Sequence, residues 1–237
     1  MRINVHAGHN PDGMIAHGAV GYVKESTENR VVVAEVIRQL EALGHTVYDC
    51  TVNNGTSQSD VLRKIVVKCN QQEVDLDISV HFNAFMRETT ANGQTKGTEV
   101  LVYNVNGAAS SYAQKITEEI AKLGYRNRGL KENKNLYVLR KSKAPAMLIE
   151  CCFVDDVDDV SLYHYRTMAN AIVTGITGQT VEEVITPTES AVQDDIPEMG
   201  REELYRVQVG AYSVKENAMA MLQQLKEAGF DAFITQA

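Results

Sequence analysis

Short apolar runs alternate with segments of helical period along most of the first 178 residues, and this alternation limits the fold more than any other feature of the chain. Residues 2–7, 46–50, 77–82, 98–103, 136–139 and 146–149 read as strands. Helical stretches fall over 25–43, 57–71 and 112–123, and a last helix runs over about 161–176. Strands separated by helices predict an α/β domain with a mostly parallel sheet, because parallel neighbours need a crossover long enough to bring the chain back. The first helix puts Val32, Val36, Leu40 and Leu43 on one stripe, and Gly44 stands where a left-handed residue ends it. Ala146-Met147-Leu148-Ile149 is apolar without a break, as a strand covered on both faces requires, and Glu150 is placed at its carboxyl end.

After residue 178 the pattern changes. Residues 179–203 contain eight acids against one base, together with Pro187 and Pro197, and keep no sustained period. They read as an acidic linker, the alternative being a solvated loop on the first domain. Residues 204–237 predict a strand, a helix over about 214–228 and a second strand, a small βαβ unit. Its helix opens on the capping box Ser213-Val214-Lys215-Glu216. The expected organisation is thus a domain over 1–178, a linker over 179–203 and a small unit over 204–237.

A net charge of -8 argues against a nucleic-acid partner, since binding to phosphates needs a concentrated Lys/Arg surface. No apolar run approaches the roughly 20 residues that insertion across a bilayer requires. The first residues, Met1-Arg2-Ile3-Asn4-Val5-His6, lack the apolar core of a secretory signal, so the expectation is synthesis in the cytoplasm and action elsewhere after release. Cys50, Cys69, Cys151 and Cys152 form no regular framework and read as free thiols.

Four residues suggest chemistry. His9, in Ala7-Gly8-His9-Asn10-Pro11, follows the first strand at the sheet edge where open α/β folds bind ligands. His81 is set among Ile78, Val80 and Phe82 in the third strand, and its two ring nitrogens need a metal or a fixed hydrogen bond. Glu25 opens the first helix, where an isolated acid is simply a dipole partner. Taken together, two imidazoles and one carboxylate leave a fourth zinc position open, the ligand count of a catalytic site. Glu150 lies between Met147-Leu148-Ile149 and Cys151-Cys152-Phe153, a setting that raises a carboxyl toward the range of a general base. The competing reading pairs it with Arg128 or Arg140. His17, in the loop between His9 and Glu25, is a candidate substrate contact. Asn83 is either a substrate or ligand positioner or a turn residue, while His6 and His45 read as structural.

The Gly8-His9 turn, the helix start over 25–29, Ser79-Val80-His81-Phe82-Asn83-Ala84 and the Glu150 strand resemble, in order, the zinc-dependent N-acetylmuramoyl-L-alanine amidases of the amidase-3 type. Asn127-Arg128-Gly129-Leu130-Lys131 and Ala144-Pro145-Ala146-Met147-Leu148-Ile149-Glu150 look like that family's closing third. The resemblance implies a twisted six-stranded sheet flanked by helices, Zn2+ on His9, Glu25 and His81, and Glu150 as the catalytic glutamate. It further implies a peptidoglycan substrate, cut between muramic acid and L-alanine, and the expected lack of a secretory signal fits a cell-lysis enzyme, either a phage or prophage endolysin or a mother-cell lytic enzyme released by lysis. Asn10-Pro11, where Gly-Gly is common, and Cys151-Cys152 after the glutamate depart from the pattern. The unit over 204–237 is similar to the first half of a SPOR repeat, a peptidoglycan-binding module, which implies wall binding, completion by a second copy in a homodimer, or a degenerate remnant. Two other classes stay open: a zinc peptidase of the stem peptide, and a non-catalytic wall-binding protein.

Overall fold

The computed structural model describes residues 1–180 together with Met219 and Leu222, both helical. The expected linker beyond residue 180 and, those two residues apart, the unit over 204–237 lie outside the described residues. The chain divides into two units, Met1–Val184 and Ile185–Ala237, and every element below belongs to the first.

Six strands make one sheet: β1 (Arg2–Ala7), β2 (Thr46–Asp49), β3 (Leu76–Asn83), β4 (Thr98–Val102), β5 (Asn127–Glu132) and β6 (Ala146–Phe153). Their spatial order is β2-β1-β3-β6-β4-β5, with every neighbouring pair parallel except β6 and β4. The helices are α1 (Glu25–Ala42), α2 (Gln58–Cys69), α3 (Ser110–Ala121), α4 (Tyr137–Lys141), α5 (Val157–Leu162) and α6 (Tyr165–Thr177). The α/β sheet is therefore the mixed, mostly parallel one expected.

Two apolar clusters show how the sheet is covered. Met147 and Ile149 belong to a large core with Val32, Val36 and Leu40 of α1, Ile116 and Ile120 of α3, and Ile172 of α6. Leu148, between them, belongs to a second cluster with Val61 and Ile65 of α2 and Val138 and Leu139 of α4. Successive strand residues face opposite ways, so α1, α3 and α6 cover one face and α2 and α4 the other. Local signals agree with this. Ser57 Oγ accepts the Asp60 N–H at 3.2 Å and caps α2, and Gly44, at φ 81°, follows the end of α1.

Three expectations need correction. Residues 136–139 do not form a strand: Tyr137 begins the short helix α4, whose Val138 and Leu139 are buried against the second cluster. Tertiary burial of these two side chains overrides their β-propensity. The fifth strand is instead Asn127–Glu132, an edge strand of polar sequence without a fully buried residue, which carries no apolar signal. The last helix is two, α5 and α6, separated at Tyr163 and His164, and β6 runs on past Glu150 to Phe153, so the glutamate lies within the strand rather than at its end.

Candidate metal centre

The first ligand turn is built by the ends of β1 and β3. Gly8 N–H donates to Val80 O at 3.1 Å, carrying the strand pairing one residue further. His9 then takes φ 64°, a left-handed conformation that costs a residue with a side chain about 1–3 kcal/mol. The surroundings hold it there. Asn29 Nδ2 donates to Gly8 O at 3.0 Å and Arg30 to His9 O at 2.9 Å. Asn10, fully buried, donates to Ile15 O and Gly55 O and accepts the Gly55 N–H at 2.9 Å.

Glu25, the first residue of α1, reaches back to this turn. Its Oε1 lies 2.9 Å from His81 Nδ1 and 3.4 Å from His9 Nε2. Backbone donors fix the carboxylate, Ala19 N–H on Oε2 at 2.7 Å and Phe82 N–H on Oε1 at 3.2 Å. One ligand atom each from His9, Glu25 and His81 lies within 4.8 Å of the other two. The two rings meet edge to face with centroids 5.0 Å apart. This approach depends on two glycines: a Cβ on Gly8 would fall 1.9 Å from His81 Cε1, and one on Gly18 would fall 2.4 Å from Glu25 Oε2.

The charges are coupled. Burial pushes the Glu25 carboxyl up, but the hydrogen bond from His81 and the charges of both histidines hold it below its ordinary value. Burial pulls His81 down, and Glu25 more than offsets that, leaving the imidazole raised. His9 is lowered, chiefly by burial. A proton shared between His81 and Glu25 occupies a place that a cation can take, and the donor set of two imidazoles and one carboxylate suits zinc.

Glu150 faces this group from β6. It pairs in register with His81 of β3 on one side and with Glu99 of β4 on the other, so the three side chains stand in a row on one face. The two candidate partners for a buried ion pair are otherwise engaged: Arg128 binds Glu99, as does Lys131, and Arg140 lies over the Tyr137 ring. Glu150 Oε2 is buried and without a hydrogen-bond partner. Burial first, then the charges of Glu25 and Glu99, push its carboxyl up to about 7 against the opposing pull of His81.

The two weaker candidates fall outside the ligand group. His17 is half-buried beside Gly18, with Nδ1 unpartnered. Asn83 Oδ1 accepts the Ala84 N–H at 2.9 Å, just beyond a register shift between His81 and Asn83, which is the turn role. Sequence reasoning missed the work of Asn10, noted only as a departure, and of Ser79, whose hydroxyl lies 3.0 Å from His81 Nε2. Ser79 stands two residues before His81, and that spacing alone places both on one face.

Comparison with known proteins decides the family. The family model described as N-acetylmuramoyl-L-alanine amidase matches residues 3–178. The chain belongs to this amidase family. A SPOR domain model matches residues 200–237. An uncharacterized Clostridium perfringens protein is 35% identical over 192 residues, 79% of this chain and 55% of its own. The N-acetylmuramoyl-L-alanine amidase CwlM of Bacillus licheniformis is 30% identical over 167 residues, 70% of this chain and 58% of its own. Among solved structures, the catalytic domain of an endolysin targeting Clostridia Difficile superposes with a TM-score of 0.68 at 28% identity, covering 77% of this amidase-family chain and 99% of that domain. The chain spans about half the length of the curated relatives it matches, 55% and 47% for two from Clostridium perfringens.

Among the described residues, no helix of this family member is long and apolar enough to cross a membrane. All four cysteines are free and buried. Nothing among the described residues supports pairing between two copies.

Proposed function

We propose that the chain is a zinc-dependent N-acetylmuramoyl-L-alanine amidase, hydrolysing the peptidoglycan amide between the lactyl group of muramic acid and L-alanine. The observation that carries this reading is a three-donor group, His9, Glu25 and His81, with a carboxyl of raised pKa, its Oε2 buried and unpartnered, in the facing register position. Three protein donors suit a metal that keeps a position for a reactant, whereas a structural zinc takes four.

Zinc held there supplies Lewis acidity toward water and the scissile carbonyl. Glu150 takes the proton of the attacking water and later returns it to the amine of L-alanine. Its proton affinity, raised by burial above that of an ordinary carboxyl, suits both tasks, because an acid of ordinary strength is a poor base and would not return the proton readily. Glu25, braced by the Ala19 and Phe82 N–H groups, keeps its orientation while the charge beside it changes. Glu99 holds Arg128 and Lys131 away from Glu150, which leaves the base free.

His17 and Asn83, the latter also bonded to its own turn, remain proposed substrate contacts. Residues 1–178 are the catalytic domain, 179–203 a linker, and the unit over 204–237 binds the wall or a second copy of the chain. The match to an endolysin catalytic domain supports a role in wall lysis. Identifying the amine freed from purified walls tests the reading, since cleavage within the stem peptide frees amines other than that of L-alanine.

A further inference from the structure

On the reading of His9, Glu25 and His81 as a metal centre, we infer that Ser79, His6 and Asp77 form a polar relay, hydrogen-bonded from His81 through Ser79 to His6 and ending on the Asp77 carboxylate, that determines which nitrogen of His81 faces that centre. Asp77, Ser79 and His81 alternate along β3 and so share the face that carries Glu150. His6 of β1 pairs in register with Ser79. Ser79 Oγ lies 3.0 Å from His81 Nε2 and 3.4 Å from His6 Nδ1, and His6 Nε2 lies 3.5 Å from Asp77 Oδ1. His6, Asp77 and Ser79 are each at most 2% exposed, so no bulk water competes for these contacts.

The direction of the chain follows from its far end. Ser142 Oγ donates to Asp77 Oδ2 at 2.7 Å and Cys69 Sγ to Oδ1 at 3.5 Å, which marks Asp77 as an acceptor. A carboxylate beside His6 Nε2 favours the proton on that nitrogen. A His6 ring that carries its proton on Nε2 accepts at Nδ1, so the Ser79 hydroxyl donates to it and turns a lone pair toward His81. His81 must therefore carry a proton on Nε2, so the proton a cation displaces is the one shared with Glu25 at Nδ1, which leaves Nδ1, 2.9 Å from Glu25, as the ligating atom. His6, Cys69 and Asp77 are themselves close enough to hold a cation. Their ring nitrogens and carboxylate oxygens already face one another or Ser79 and Ser142, so this cluster orients the metal centre rather than forming a second one.

These are positioning residues, and the test reads protonation directly. Long-range nitrogen–proton NMR of the metal-free protein is expected to show His6 protonated on Nε2 alone and His81 with a proton on Nε2. Titration with zinc against a chromophoric chelator is expected to show binding weakened about 10–100-fold by Ser79→Ala and by Asp77→Asn, which removes the negative charge that favours the proton on His6 Nε2. His6 protonated on Nδ1, or a folded Ser79→Ala protein that binds zinc within about 2-fold of wild type on that same scale, overturns the relay. Should Ser79→Ala fail to fold, the wild-type tautomers decide alone. Wild-type protein that takes up no zinc overturns the metal reading instead, a result separate from the tautomers.

Discussion

His81 and Glu150 are register partners across the parallel pair β3 and β6, which puts a metal ligand and a carboxyl raised to about 7 side by side on one face of the sheet. Neither residue's position depends on a loop, since both are backbone-paired in the two central strands.

Replacing that carboxyl tests its role as base. Glu150→Gln is expected to lower kcat by at least about 10²-fold, the usual worth of general-base catalysis, while zinc content stays at the wild-type level. In the wild type, kcat/KM should rise with pH as Glu150 loses its proton. The midpoint falls below 7 in the zinc-loaded enzyme, because a neighbouring cation favours the carboxylate. The same pH profile measured on Glu150→Gln should lack this limb.

The raised carboxyl also makes a prediction for stability. A carboxyl whose folded pKa lies above its unfolded value of 4.5 binds more protons folded than unfolded between pH 4.5 and about 7. Ionised Glu150 therefore destabilises the metal-free protein above that window and is neutral below it. Metal-free Glu150→Gln is expected to exceed wild type by about 1–3 kcal/mol at pH 8, with the difference closing toward pH 4, as read by denaturant unfolding.

Gly8 is a steric requirement of the site. Gly8→Ala places a methyl 1.9 Å from His81 Cε1, so the ring must leave its position against Glu25. Zinc affinity should fall by at least about 10-fold, the scale of losing a ligand's orientation, and equilibrium dialysis against zinc measures it.

Asn10 ties the His9 turn to the segment around Gly55. Removing its amide takes the partner from the buried carbonyl and N–H of Gly55 and from the part-buried carbonyl of Ile15, so Asn10→Ala is expected to cost about 2–4 kcal/mol in urea unfolding. The loosened turn should also weaken zinc binding, because His9 holds a left-handed backbone only while its neighbours enforce it.

The sequence made the central strands legible because each is an apolar run between turn signals, and β1 begins and ends at the residues expected. It concealed β5, whose edge position lets it be polar, and it disguised α4, whose apolar residues mimic a strand but pack sideways on α2. His9, Glu25, His81 and Glu150 were legible as chemical types in suggestive places. That they meet depends on strand order, which brings β6 between β3 and β4, and on Gly8 and Gly18 admitting close approach. Ser79 and Asp77 stayed hidden because small polar residues in a strand are common, and only the register with His6 gives them a joint role.

The most direct test of the central claim is end-group analysis of purified peptidoglycan digested by the full chain, with bound metal measured on the same sample. The account predicts newly exposed L-alanine amino groups, about one zinc per chain, and loss of both in His81→Ala. Release of any other amine, or L-alanine release undiminished in a His81→Ala protein free of zinc, would contradict it.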